Sequence, residues 1–294
     1  MGRGLAKVRG LVELTRPHNI LVALVTTYIG YGVVYKIVHG FMGLDYWFIP
    51  IALTVALVAA AGYVINDYFD VVIDAVNKPE RPIPSGRVTP REALLEALVL
   101  LTLGVATAST IGLYSYVFAC INMLVLFHYS SWIKKTGFPG NIAIAFNSAS
   151  SIVYGGLAYM DVTGNYTGWP WVLIPALYAF LLVLGREVVK GIEDYYGDSR
   201  EGVRTLAVTL GPSRAARIAS AILASVIALS PLPMLAGLYN YAYAVLAAAV
   251  DALCLASIKT LLGADNPVEE ARKPRRWLKI AFLLGGLAFI LGLA

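Results

Sequence analysis

Nine runs of about twenty predominantly apolar residues divide this chain, and no other feature limits its fold so tightly. Twenty residues at a helical rise span the hydrocarbon core of a bilayer, so each run reads as a transmembrane helix. The runs fall at 18–37, 48–66, 92–110, 112–132, 140–160, 169–189, 213–236, 239–262 and 277–293, with the tightest connection at Ile111-Gly112. The predicted fold is an all-α polytopic helix bundle, with residues 1–294 forming a single intramembrane domain. Composition agrees. Of 294 residues, 59% are hydrophobic and only 14% charged, where a water-wetted domain carries about a quarter charged. Lipid faces most of this surface.

The basic residues orient the bundle. Threading the chain through nine spans leaves 22 of the 23 Lys and Arg residues on one side, and only Lys36 on the other. That side is expected to be cytoplasmic and to hold the N-terminus, with the C-terminus outside. The N-terminal Arg3, Lys7 and Arg9 precede an apolar run with no small-residue cleavage site, so that run reads as a retained helix in a multi-pass cell-membrane protein. Gly2 lacks a following Ser or Thr at position six, which argues against myristoylation. Cys120 and Cys254 both lie inside apolar runs, which argues against a disulfide framework or a thiolate metal site. The formal charge of +5 follows the membrane topology and indicates no nucleic acid. No protein partner is indicated.

Two acidic segments carry the chemistry. In Asn66-Asp67-Tyr68-Phe69-Asp70-Val71-Val72-Ile73-Asp74, the side chains of Asn66, Asp70 and Asp74 recur at i, i+4 and i+8 on one helical face, with Asp67 beside them. Clustered carboxylates beside a bilayer repel one another unless a cation intervenes. Mg²⁺ suits them, since it takes hard oxygen ligands and shares its sphere with substrate phosphates and water. An isolated pair of this spacing also reads as a solvated acidic loop. This one has a counterpart in Asp194 and Asp198, again i and i+4, with Lys190 and Arg186 continuing the face inward. The two segments lie four spans apart and resemble each other, which points to a four-helix internal repeat. Ionisable groups at the end of an apolar span usually face the bundle interior.

Two such clusters facing each other would hold metals that clamp a diphosphate and neutralise its departing charge. Cations to complete the clamp are available in Lys78, Arg81, Arg87, Lys134, Lys135, Lys190 and Arg204. Lys78 and Arg81 lead, because they follow the acidic helix within a turn or two. Three prolines stiffen the segment from Asn77 to Arg87, so it reads as a basic rim. His18, His39 and His128 are scattered and not needed by a hard cation. Many of the 18 tyrosines fall near helix ends, as in an interfacial aromatic belt.

The sequence resembles the UbiA superfamily of intramembrane prenyltransferases. The likeness rests on Thr15-Arg16-Pro17-His18-Asn19, the Asn66-to-Asp74 motif, Arg81-Pro82-Ile83-Pro84-Ser85-Gly86, Tyr129-Ser130 before Lys134-Lys135, and Lys190-Gly191-Ile192-Glu193-Asp194 through Asp198 with Thr205-Leu206-Ala207-Val208. It implies a bundle open laterally to lipid, two Mg²⁺ ions, and transfer of an isoprenoid chain from its diphosphate. Asn66, Asp70, Asp74, Asp194 and Asp198 are then metal ligands, Asp70 and Asp198 acting in catalysis through metal. Lys78, Arg81, Lys134, Lys135 and Lys190 would contact the diphosphate. Arg16, Asn19, Asp67 and Arg204 are further substrate-binding candidates. Within the superfamily the Asn77-Lys78-Pro79-Glu80-Arg81-Pro82 run resembles the branch of archaeal ether-lipid synthesis, which adds a geranylgeranyl chain to geranylgeranylglyceryl phosphate. The alternatives are an aromatic acceptor such as 4-hydroxybenzoate and, in another class, a secondary transporter. A transporter places its charges near the midplane, whereas these cluster at span ends.

Overall fold

The computed structural model describes residues 2–235 and 237–294, with side chains from residue 4 onward. In chain order the helices are α1 (Gly2–Leu14), α2 (Pro17–His39), α3 (Phe48–Phe69), α4 (Val71–Asn77), α5 (Pro90–Ser109), α6 (Leu113–Ser131), α7 (Phe138–Thr163), α8 (Trp169–Glu193), α9 (Tyr195–Glu201), α10 (Leu206–Leu210), α11 (Pro212–Leu229), α12 (Leu232–Leu235), α13 (Tyr241–Gly263), α14 (Pro267–Glu270) and α15 (Arg272–Leu293). Among the described residues no strand occurs, and nine segments are long and apolar enough to cross a membrane. The chain is a multi-pass membrane protein.

The spans begin and end where local chemistry dictates. Proline opens α2, α5, α7, α8 and α11 within their first two positions, where a missing N–H costs nothing. Thr89 and Glu92 form a reciprocal capping box at the start of α5. Gly40 and Gly164 stop α2 and α7 in the left-handed region. Three features depart from the sequence reading. A separate helix, α1, precedes the first span. The expected run 213–236 is interrupted after Leu229, because Pro231 lacks an N–H to continue the ladder, and its last position, 236, lies outside the described residues. Each acidic motif runs on from its span into a seven-residue helix, α4 or α9.

Packing sets the cavity walls. α2 and α7 approach so closely that a methyl group on Gly30 would meet the Ile152 carbonyl, and one on Gly155 the Thr27 carbonyl. Small residues at a helix crossing are how spans gain contact without a hydrophobic driving force. Away from the acidic motifs, Tyr31, Tyr35, Tyr154 and Tyr159 fill the bundle together with Val172, Tyr243 and Phe289. Polar ties close that end. Tyr159 donates to Asp45 at 2.8 Å, and Lys36 donates to the Leu293 carbonyl at 2.6 Å.

Candidate active site

Asp70 and Asp194 occupy matching joints. Each follows a long span, takes near-identical backbone angles (φ −90°, ψ 1° and φ −84°, ψ 4°) and starts a seven-residue helix. Each amide donates to the carbonyl four residues back, and the amides of Asp74 and Asp198 do the same toward Asp70 and Asp194. The helical register therefore runs through both joints. Asn66, Asp70 and Asp74 share a face at one, and Lys190, Asp194 and Asp198 share a face at the other.

At the first joint every carboxylate is met by the chain's own cations. Asp67, buried, accepts from Arg16 at 2.5 Å and from Arg81 at 3.0 Å. Arg81 also reaches Asp74 at 2.5 Å. Lys134, on the 3₁₀ turn Ile133–Lys135, pairs with Asp70, whose other oxygen accepts from Asn66 at 3.0 Å. The loop carrying Arg81 is fixed from beneath: Ile83 and Val88 are buried against Leu14, Val64 and Ile65. Arg87 anchors it further by donating to Glu13 at 2.6 Å. Of the basic residues in this segment, the structure thus brings Arg81 to the acids and leaves Lys78 exposed.

The second joint is less neutralised. Glu193 is held by Arg275 at 2.9 Å, and Glu187 by Arg186 at 3.1 Å and Lys190 at 3.9 Å. Asp194 has no side-chain partner among the described residues. Burial and, after it, the neighbouring Asp194 charge push the Asp198 carboxyl above the ordinary aspartate range, against the pull of Lys190. The two halves are stitched together behind the basic turn. Gly137 (φ 79°) lies against the backbone of Arg204, where any side chain would strike the carbonyl. Arg204 and Lys135 themselves are exposed.

Below these joints lies a cavity of about 600 Å³ between α2, α3, α6, α7, α8 and α15. Arg16, Asn19, Asn66 and Tyr129 line its mouth, and Val55, Val58, Leu126, Leu182 and Phe282 much of its wall. Val22, Lys279 and Leu283 both line it and are exposed, so it opens sideways between α2 and α15. Asn122, Asn147, Ser148 and Ser151 reach it from α6 and α7. The sequence reading did not single these out. Their signal was available: polar groups inside apolar spans face the interior rather than lipid.

The donor set fits a hard divalent cation. Its candidates are an amide and four carboxylates with no thiolate or imidazole, Asp194 makes no ion pair among the described residues, and Asp194 and Asp198 repel each other. No three acidic, His or Cys side chains among the described residues converge to hold a metal unaided. Mg²⁺ takes one or two carboxylates and completes its sphere with water and substrate phosphate.

A family model described as the UbiA prenyltransferase family matches residues 23–284. This chain belongs to the UbiA prenyltransferase family. It is 48% identical over 297 residues to the digeranylgeranylglyceryl phosphate synthase of Hyperthermus butylicus, covering 98% of each chain. It is 38% identical to the synthase of the same name from Saccharolobus solfataricus, covering 97% of each. A solved structure concerned with digeranylgeranylglyceryl phosphate synthase in membranes superposes with a TM-score of 0.84 at 34% identity, over 98% of both chains. A UbiA homolog from Archaeoglobus fulgidus, solved with GPP and Mg²⁺, shares the fold at a TM-score of 0.70 and 20% identity, over 96% of this chain and 98% of that one.

Proposed function

We propose that this UbiA-family protein transfers a geranylgeranyl chain from its diphosphate to the free glycerol hydroxyl of geranylgeranylglyceryl phosphate, with Mg²⁺ as cofactor. One observation carries the reading: an acidic motif, tethered by Arg81 and Lys134, opens through Asn66 onto a lipid-accessible cavity walled by apolar side chains. The cavity suits an isoprenoid tail, and the motif suits a diphosphate with its metal. The acceptor assignment draws its support from the 48% identity to the Hyperthermus butylicus synthase. The GPP and Mg²⁺ held by the Archaeoglobus fulgidus homolog support the donor class and the metal.

In this scheme Asn66, Asp70, Asp74, Asp194 and Asp198 hold magnesium directly or through water. Bound there, magnesium neutralises charge on the leaving diphosphate. Arg81 and Lys134 exchange carboxylate contacts for diphosphate oxygens, with Lys78, Lys135 and Lys190 on the rim. Asp67 serves chiefly to hold Arg16 and Arg81. The allylic C1–O bond breaks, the acceptor oxygen bonds to C1, and the hydroxyl proton passes to a carboxylate or to the released diphosphate. The apolar walls keep water from the delocalised cation until the acceptor reaches it. The lopsided distribution of Lys and Arg supports a cytoplasmic mouth, and the matching joints at Asp70 and Asp194 support a duplicated four-helix unit.

The test is direct. Purified protein and Mg²⁺ are incubated with labelled geranylgeranyl diphosphate, offering geranylgeranylglyceryl phosphate and 4-hydroxybenzoate in parallel. The expected product is the doubly alkylated glyceryl phosphate. Label appearing only on 4-hydroxybenzoate overturns the acceptor assignment.

A further inference from the structure

Four charged side chains line the cavity: Arg16, Arg186, Glu187 and Lys279. Arg16 is committed to Asp67 and lies over the Tyr63 ring at 5.3 Å. The remaining cations are Arg186 of α8 and Lys279 of α15. Both lie seven residues inside their helices, counted from Glu193 and Arg272, and so about 10 Å below the rim. Glu187 braces Arg186 at 3.1 Å through one terminal nitrogen. The Arg186 Nε is buried without a partner, and Lys279 makes no ion pair among the described residues.

A guanidinium N–H left buried without an acceptor is costly, and the cost is recovered when a ligand brings the acceptor. Lys279 stands at the sideways opening with Leu283 and Val22. Two anionic substrates also repel each other if bound on one cation cluster, so a productive complex needs a second one. The exposed Lys135 and Arg204 lie outside the cavity lining and do not supply it.

We infer that Arg186 and Lys279 form a second anion site, which binds the phosphomonoester of the lipid acceptor in the cavity below the donor diphosphate. This rests on the acceptor proposed above. The planar guanidinium, held by Glu187, offers its free edge to two phosphate oxygens, while Lys279 adds a mobile point charge at the entrance. Together they fix the headgroup so that the glycerol hydroxyl projects toward the donor C1.

The experiment uses the full chain in nanodiscs of neutral lipid, so that the acceptor is the only phosphomonoester lipid present. R186Q, K279Q and R186K are compared with wild type on geranylgeranylglyceryl phosphate and on its dephosphorylated alcohol. R186Q and K279Q should each raise KM for the phosphorylated acceptor about ten-fold or more, with the donor KM and saturating kcat near wild type. Their preference for the phosphorylated acceptor should shrink by the same factor, and R186K should recover part of it. An unchanged acceptor KM, or an equal rise for both acceptors or for the donor, overturns the inference while leaving the acceptor assignment standing. If the wild type alkylates neither glyceryl acceptor, the assignment and the inference fall together.

Discussion

Arg16 reaches across 51 residues to donate to Asp67 at 2.5 Å, and does so from a left-handed backbone. Among the described residues it is the one non-glycine position with positive φ, at 51°. That conformation costs a residue with a Cβ about 1–2 kcal/mol, and strain of this kind persists only where surroundings enforce it. Asp67 and the Tyr63 ring do so here. The same turn bends α1 away from α2 and sets Arg16 at the cavity mouth. Asp67, saturated by Arg16 and Arg81, is in effect the bracket that holds the basic rim in place.

Replacing Asp67 with Asn should therefore damage the fold before it damages chemistry. Two guanidiniums would lose their shared carboxylate, and removing one partner of a buried ion pair costs about 3–5 kcal/mol. The expected result is a clear drop in melting temperature in detergent with turnover reduced in parallel. An unchanged melting temperature with turnover lost would instead place Asp67 among the groups that meet substrate.

Asp70→Ala and Asp198→Ala should each lower turnover by at least about 10²-fold, the scale of losing one preorganised electrostatic contact, and both should still elute as folded protein. Mg²⁺ with a non-reacting prenyl diphosphate should raise the wild-type melting temperature, as any ligand binding only the native state does, and should raise neither variant's. Chelation should abolish turnover and Mg²⁺ should restore it. Wild-type rates in either variant would remove the metal clamp from the scheme.

Lys134→Met separates two roles of one ammonium. In this structure Lys134 neutralises Asp70. Removing it should free that carboxylate and lower the Mg²⁺ concentration needed for half-maximal turnover. It should also lower the maximal rate, because a cation for the leaving diphosphate is gone. A Mg²⁺ titration of turnover reads both. A variant that needs more Mg²⁺ than wild type would argue that Lys134 orders Asp70 for the metal rather than competing with it.

Much of this was legible in the sequence, and the reason differs by feature. Span positions followed from apolar length alone, and even the tight connection at Ile111-Gly112 appears as a break between α5 and α6. The i, i+4 spacing correctly put Asn66, Asp70 and Asp74 on one face, because the helical register survives the joint at Asp70. Choosing among the cations was harder. Lys78 lies nearer to the motif in sequence than Arg81, yet only Arg81 is turned inward, by burial of Ile83 and Val88 beneath it. Lys134 meets Asp70 through the packing of α6 against α3, a relation no local pattern encodes. Likewise, Arg186 and Lys279 face one cavity only once the rotations of α8 and α15 are set.

The α2–α7 contact offers the sharpest packing test. Gly30→Ala and Gly155→Ala place a methyl group against backbone carbonyls of the facing helix, Ile152 and Thr27. Backbone cannot step aside as a flexible side-chain tip can, so the helices must part. Overpacking of this kind costs about 1–3 kcal/mol. It should also move Asn147, Ser148 and Ser151 on α7 away from the cavity they line opposite α3. Gly285→Ala and Gly286→Ala, where nothing lies within 4 Å, supply the control. Melting temperatures in detergent should fall for the first pair and hold for the second. Equal melting temperatures across all four would mean that α2 and α7 are not pressed together at Gly30 and Gly155, and the cavity wall they form would have to be redrawn.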